Sequence, residues 1–215
     1  MIYVHHHLGL GDHIVCNAIV RDLYSKYGSL TLAVKEHNYS SVKQLYKDLD
    51  VEFHRVKSDA DCIPMYFKTP TIRIGFEHCR KDWEESFYDQ VGLDYSDRFS
   101  KFYISRDLER EQALEDKLNL PEEYAFVNRT ASTGFNNIEL KTSLPLVELQ
   151  PVTDSLFDWI GVIKKAKEIH TIDSSIFQLI KQITVKGDKF FYDMRKTDPT
   201  RTTPPYEDSD WTIIL

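Results

Sequence analysis

Two short stretches carry residue types and spacings suited to chemistry. The first is Gly9-Leu10-Gly11-Asp12-His13. Glycines let a backbone turn tightly and bring its N–H groups near a ligand, and a helix start favours negative charge. Those properties suit a phosphate. Yet the run is not GxGxxG, because Ile14 stands where the third glycine would be, and no GK[ST] follows. Asp12 at the mouth also repels an anion. A carboxylate at the carboxyl edge of a parallel strand can instead take a proton from a hydroxyl. The other reading open to Asp12 is that of a helix N-cap. The second stretch is His170-Thr171-Ile172-Asp173-Ser174-Ser175-Ile176. A strand ending in Asp-Ser-Ser and turning straight into an apolar helix aims backbone N–H groups and two hydroxyls outward, which can hold a diphosphate without a lysine. Asp and Ser are equally the preferred helix caps, so this stretch gains weight only beside the first.

Half of the chain's 8 histidines, His5, His6, His7 and His13, gather near the first stretch. Imidazole suits zinc, copper or nickel. On a strand, however, His5 and His7 point one way and His6 the other, so the three cannot chelate one ion in regular geometry. No metal and no cofactor is expected. One of His6 or His7 should line a cleft beside Asp12 and meet a ligand hydroxyl, with Gly11 and His13 in the same turn. Nucleophilic hydrolysis finds no support: there is no GxSxG elbow, and Cys16 falls inside the first helix, packed rather than reactive. Arg195, Lys196, Arg201 and Tyr206 lie in a Pro- and Asp-rich tail that reads as a solvated surface loop.

Those stretches need elements to position them. Ile2-Tyr3-Val4 opens a strand that ends at the Gly9-Leu10-Gly11 punctuation, and Ile14, Val15, Ala18, Ile19 and Leu23 recur at helical spacing after it. Gly28 closes that helix and Leu30 to Val34 forms a second strand. A polar helix over Tyr39 to Leu49 and an alternating strand over Val51 to Val56 follow. Residues 57 to 70 read as loop, Thr71 to Phe76 as a strand, and the aromatic stretch with Trp83, Phe87, Tyr88 and Tyr95 as partly helical. The run DLEREQALEDKL is polar all round and suits a solvent-exposed helix or an interdomain spacer. The alternation then restarts. Tyr124 to Asn128 is a strand leading into the polar loop RTASTGFNN, Leu144 to Leu149 another, and Asp154 can cap a helix with Leu156, Ile160 and Ile163 on one face. Glu168 to Asp173, Lys189 to Met194 and Trp211 to Ile214 are strands, with a helix from Ser174–Ser175 between the first two. Strands alternating with helices imply an α/β fold with mostly parallel sheets covered on both faces. Two successive runs of this kind suggest two small Rossmann-like lobes, residues 1–105 and 106–215, with a cleft between them.

The whole-chain numbers agree with an ordinary globular protein. At 215 residues, with 41% apolar and 28% charged, the chain can bury a real core in one or two domains. Lys and Arg number 27 against 34 Asp and Glu, a net −7, and no long basic run offsets it, which argues against nucleic acid as a partner. Cys16, Cys62 and Cys79 are odd in number and contain no CxxC pair, so a reducing compartment fits. No apolar run approaches ~18 residues and the start lacks a signal-peptide layout, so no membrane span and a cytoplasmic location are expected.

Together the two stretches carry a resemblance. HHLGLGDHIVCNAIVRDL resembles the N-terminal GD-containing turn and helix of the heptosyltransferase-like enzymes of glycosyltransferase family nine, and EIHTIDSSIFQLI is similar to the donor-phosphate turn of their second domain. The resemblance implies a GT-B-like arrangement in which the first lobe (1–105) holds the acceptor and the second (106–215) a nucleotide-sugar. It further implies that Asp12 is the catalytic base and that Asp173, Ser174 and Ser175 meet sugar and diphosphate. A phosphate-binding lysine is not evident at a matching position, and Arg129, in the loop after Tyr124 to Asn128, or Lys141 can supply the positive charge instead. The function expected is a metal-independent, inverting transfer of sugar from a nucleotide-sugar donor to a carbohydrate or other hydroxyl acceptor. A nucleotide-sugar epimerase or hydrolase of the same fold, and a non-catalytic nucleotide- or glycan-binding module, are the alternatives.

Overall fold

The structure is a computed structural model, and it describes residues 1–77, 82–194 and 210–214. Cys79 and the tail residues Arg195, Lys196, Arg201 and Tyr206 lie outside the described residues. The chain divides into two compact units, Met1–Ser105 and Arg106–Leu215. Both are α/β, and all pairings within their main sheets are parallel.

In the first unit, β1 (Ile2–His5) is followed by α1 (Leu10–Val15) and α2 (Asn17–Tyr27), then β2 (Leu30–Lys35), α3 (Tyr39–Leu45), β3 (Val51–Val56), α4 (Ile63–Tyr66) and β4 (Thr71–Arg73). The sheet order is β3-β2-β1-β4. Local sequence explains the placement. Strand β2, Leu-Thr-Leu-Ala-Val, is buried over its first five residues and sits inside the sheet, whereas β3 exposes Glu52 and Arg55 between buried ends, as an edge strand can. Gly28, at φ +74°, ends α2 in the left-handed conformation that residues with a Cβ resist. Its N–H bonds the Tyr24 carbonyl at 2.8 Å. Two helices, α5 (Trp83–Asp89) and α6 (Asp97–Ser100), complete the unit. Residues 57 to 70 are more ordered than a loop. A 3-10 turn over Asp59–Cys62, boxed by Ser58 and Asp61, leads into α4. That helix tolerates Pro64 in its first turn, where no N–H partner is needed.

The second unit opens with α7 (Leu108–Leu118) and continues through β5 (Ala125–Asn128), the hairpin β6 (Thr130–Ala131) and β7 (Gly134–Phe135), and β8 (Leu146–Glu148). After these come α8 (Ile160–Lys165), β9 (Glu168–Ile172), α9 (Ser175–Ile180), β10 (Asp188–Tyr192) and β11 (Trp211–Ile214). Its main sheet runs β11-β10-β9-β5-β8. Three expectations are corrected. The loop after Asn128 folds into the β6–β7 hairpin. The cap after Pro151 is Ser155, whose hydroxyl accepts from the Phe157 N–H, while Asp154 pairs with Arg110. Helix α7 is no exposed spacer: Leu114, Glu111 and Glu115 are buried, and the helix packs on α8. Its charge misleads because those glutamates are paired, with Arg106 and Lys165, at 2.5 Å each. Among the described residues no helix is long and apolar enough to cross a membrane.

Both sheet orders contain a point where the chain winding reverses. In the first unit it lies between β1 and β4. In the second, counted from β5 and leaving out the hairpin, the order is 2-1-3-4-5, and it lies between β5 and β9. In open α/β sheets, ligands bind outside the carboxyl ends of the strands at such points.

Candidate functional site

At the first reversal point the chain leaves β1 through His6, His7 and Leu8. The Leu8 carbonyl is fixed by the Asn38 side-chain amide at 3.0 Å. Helix α1 then begins with Gly9, not Asp12, as its N-cap. Asp12 stands in the first turn and folds back, so that a Cβ on Gly9 would collide with its Oδ2. Gly9 has φ −70° and ψ 147°. That conformation is open to any residue, so glycine is required here by the carboxylate's close approach. Asp12 keeps 21% side-chain exposure. Burial raises its carboxyl above the usual range, opposed by His7, by the N–H groups of Asp12 and Gly9, and by Lys35 at the end of β2. A carboxylate with raised basicity at a strand's carboxyl edge can receive a proton.

The histidine run divides into separate environments. His5 is buried, its Nε2 donating to Asp59 at 3.0 Å and its Nδ1 accepting from the Tyr66 hydroxyl at 2.5 Å. His6 and His13 are wholly buried, with rings edge to face at 4.4 Å, so as placed they are packing residues that no ligand reaches. Burial pushes the His6 imidazole down to about 4 and that of His13 well below the ordinary range. His7 alone of the four stays open, at 42% side-chain exposure, and its Nδ1 faces Asp12 Oδ1 at 3.9 Å. Its Nε2 lies 2.8 Å from the Gly75 carbonyl. A carbonyl can only accept, so Nε2 carries the proton and neutral His7 presents a bare lone pair at Nδ1. The ring is held edge-on between Phe76 and Phe87, with centroids 5.1 and 5.4 Å away.

Gly75, just past β4, makes that anchor. Its φ is +87°, an added Cβ would meet the Phe87 ring at 2.5 Å, and its N–H donates to Gln90 Oε1 at 2.9 Å. Sequence reasoning missed Gly75, Phe87 and Gln90; the one signal was a glycine following a strand. Gly11 is the second residue of α1 and half-buried. Cys16 joins α1 to α2 with its thiol fully buried, and burial, with Asp12 next, pushes that thiol up. A raised thiol fits a packing role. No group of three or more His, Cys, Asp or Glu among the described residues could hold a metal ion.

At the second reversal point, Asn128 ends β5 and donates from Nδ2 to Thr171 Oγ1 (3.3 Å) and to Ser174 Oγ (2.8 Å). Ser174 is the N-cap of α9: its hydroxyl accepts from the Phe177 N–H and donates to the Ile172 carbonyl at 3.1 Å. That hydroxyl is therefore spent on shaping the turn. Ser175, half-buried in the first position of α9, has no hydrogen-bond partner for its hydroxyl among the described residues. Asp173 is half-buried between β9 and the cap. Arg129 follows β5, tied by Nε to Glu148 at 3.2 Å and by Nη1 to the Ile138 carbonyl at 2.6 Å. Lys141 is exposed. The predicted residues thus form two groups, Gly11, Asp12 and His7 in one unit and Arg129, Asp173, Ser174 and Ser175 in the other.

No family model matches the chain, and no curated protein does. The fold is similar to a solved structure, that of the glycosyl transferase family 9 from Veillonella parvula DSM 2008. The TM-score is 0.51 over 89% of this chain and 79% of that one, at 11% identity. At that identity the likeness is one of fold alone: a Rossmann-like α/β architecture with mostly parallel sheets.

Proposed function

We propose that the chain is a glycosyltransferase moving a sugar from a nucleotide-sugar to an acceptor hydroxyl. One observation carries this reading: the two stretches singled out by their chemistry each stand at the reversal point of their own sheet, where this class of fold binds ligands. In the first unit, Asp12 takes the hydroxyl's proton as the oxygen attacks the anomeric carbon. In the second, the Asp173-Ser174-Ser175 turn receives the donor, with the Ser175 hydroxyl available and Ser174 holding the turn's shape. Negative charge builds on the departing diphosphate, and Arg129 or Lys141 meets it from the protein, so the step needs no metal. A single displacement of this kind inverts the anomeric configuration.

A thermal-shift panel of nucleosides, nucleoside diphosphates and nucleotide-sugars, followed by donor-consumption assays with hydroxyl acceptors, tests the reading. A ligand held only by the folded chain stabilises it by mass action, by ~2.7 kcal/mol at a hundred times its dissociation constant. One nucleoside diphosphate class should raise the melting temperature, and the matching donor should be consumed faster with acceptor present. A panel without any shift would refute donor binding. Consumption that ignores the acceptor would replace transfer by hydrolysis or epimerisation.

A further inference from the structure

We infer that His7 is the second carrier of the proton, receiving it from Asp12 and releasing it to water; this rests on the transferase reading above. Three features converge on it. First, the Gly75 carbonyl fixes the neutral imidazole with its hydrogen on Nε2 and its lone pair on Nδ1. Second, that lone pair faces Asp12 Oδ1, the oxygen left over once Oδ2 has folded back on Gly9, across 3.9 Å. Third, the imidazole is the more exposed partner, at 42% side-chain exposure against 21% for the carboxylate, so a proton passed to His7 reaches bulk water more readily than one left on Asp12.

The support behind the ring is built for position. Gly75 adopts a left-handed φ, and a side chain there would strike Phe87. Its carbonyl holds His7, its N–H is held by Gln90, and Phe76 and Phe87 fix the plane of the imidazole. Such an anchor has no use for a surface histidine that only fills space. It sets one nitrogen lone pair toward one carboxylate oxygen. Among the described residues, the other ionisable groups that act on the pair are Lys35 on β2, the buried Cys16 thiol, and His5 and His6 on the same strand segment, of which His5 is already bonded to Asp59 and Tyr66.

The protons balance as follows. The acceptor's O–H bond breaks and its proton passes to Asp12 while the new oxygen–carbon bond forms. The bond from the anomeric carbon to the diphosphate breaks, and its electron pair leaves with the nucleoside diphosphate. Once the 3.9 Å gap has shortened to hydrogen-bond length, the Asp12 carboxyl gives the proton to Nδ1 of His7, restoring the carboxylate, and the imidazolium releases it to solvent.

Two measurements test this. Long-range nitrogen–proton correlation NMR on histidine-labelled wild-type protein reads the tautomer directly and needs no substrate: neutral His7 should carry hydrogen on Nε2, and a proton on Nδ1 would overturn the proposal. With the donor and acceptor found by the panel above, His7→Ala should transfer ~10²-fold more slowly, within the range of proton-transfer catalysis, while keeping the donor-induced thermal shift. Added imidazole should restore turnover in proportion to its concentration, and more basic imidazoles should do so better, which simple filling of the hole would not produce. Unchanged turnover in His7→Ala, or rescue indifferent to basicity, would overturn the role of His7 while leaving the transferase reading intact. Absence of transfer by the wild type would remove both.

Discussion

Gly9 and Gly75 are required for different reasons, and substitutions separate them. At Gly9 the backbone is ordinary and the obstacle is the Asp12 carboxylate, the movable end of a side chain. Gly9→Ala should cost less than ~1 kcal/mol of stability yet slow transfer at least ~10-fold by pushing that carboxylate aside. Urea denaturation together with turnover checks it, and intact turnover would show that Asp12 needs no fixed position. At Gly75 the backbone is left-handed and the obstacle is the buried Phe87 ring. Gly75→Ala should therefore lose ~1–3 kcal/mol or more, read from the urea midpoint. The Gly-x-Gly-Asp spacing makes the first of these sites visible in the sequence. The second is hidden, because Gly75 reaches His7 only through the parallel pairing of β1 with β4, across 68 positions. His6 and His13 look like ligand contacts in the sequence for a related reason: on paper a histidine beside a glycine turn is accessible, and burial is decided by what packs above it.

Among the elements, the junction of β1 with α1 should set the acid sensitivity of the protein. His6 Nε2 and both nitrogens of His13 are buried with no hydrogen-bond partner among the described residues. Both rings are held neutral when folded, with His6 at about 4, whereas unfolded imidazoles titrate near 6.5. Between those values the unfolded chain binds more protons, so stability must fall as pH drops below ~6.5 and continue falling toward ~4, by up to ~3 kcal/mol from His6. His13→Leu, which keeps an apolar side chain in an apolar place, should fold and show a shallower decline; an identical pH–stability curve would contradict this. Helix α7 gives a second prediction. Gly161 on α8 lets Glu115 and Glu111 approach to 2.5 and 3.0 Å of where its Cβ would be. Gly161→Ala should displace both carboxylates from Lys165 and Arg106 and cost ~1–3 kcal/mol, measured as a lower urea midpoint, and an unshifted midpoint would refute the close packing. The helix itself is plain in the sequence. Its burial is not, since buried charges with partners far along the chain look the same on paper as solvated ones. At α9 the reverse holds: Asp-Ser-Ser marks the helix start, but only the fold shows that Asn128, 46 positions earlier, has already claimed the Ser174 hydroxyl.

At the scale of the molecule, alternation of β-branched runs with helical periods is enough to show an α/β chain of mostly parallel sheets, because that pattern is local. Strand order is not local, and it is the order that puts Asp12 and the Asp173-Ser174-Ser175 turn each at the reversal point of its sheet. If the first unit supplies the base and the second the donor site, the two duties must separate under mutation. Asp12→Asn keeps the size and the fold-back onto Gly9 but cannot take a proton. Donor binding, read as the thermal shift with the preferred nucleotide-sugar, should match wild type in this variant, and transfer should fall by ~10²–10⁴-fold. Wild-type turnover in Asp12→Asn would show that the carboxylate only shapes the first turn of α1 and that the chemistry lies elsewhere.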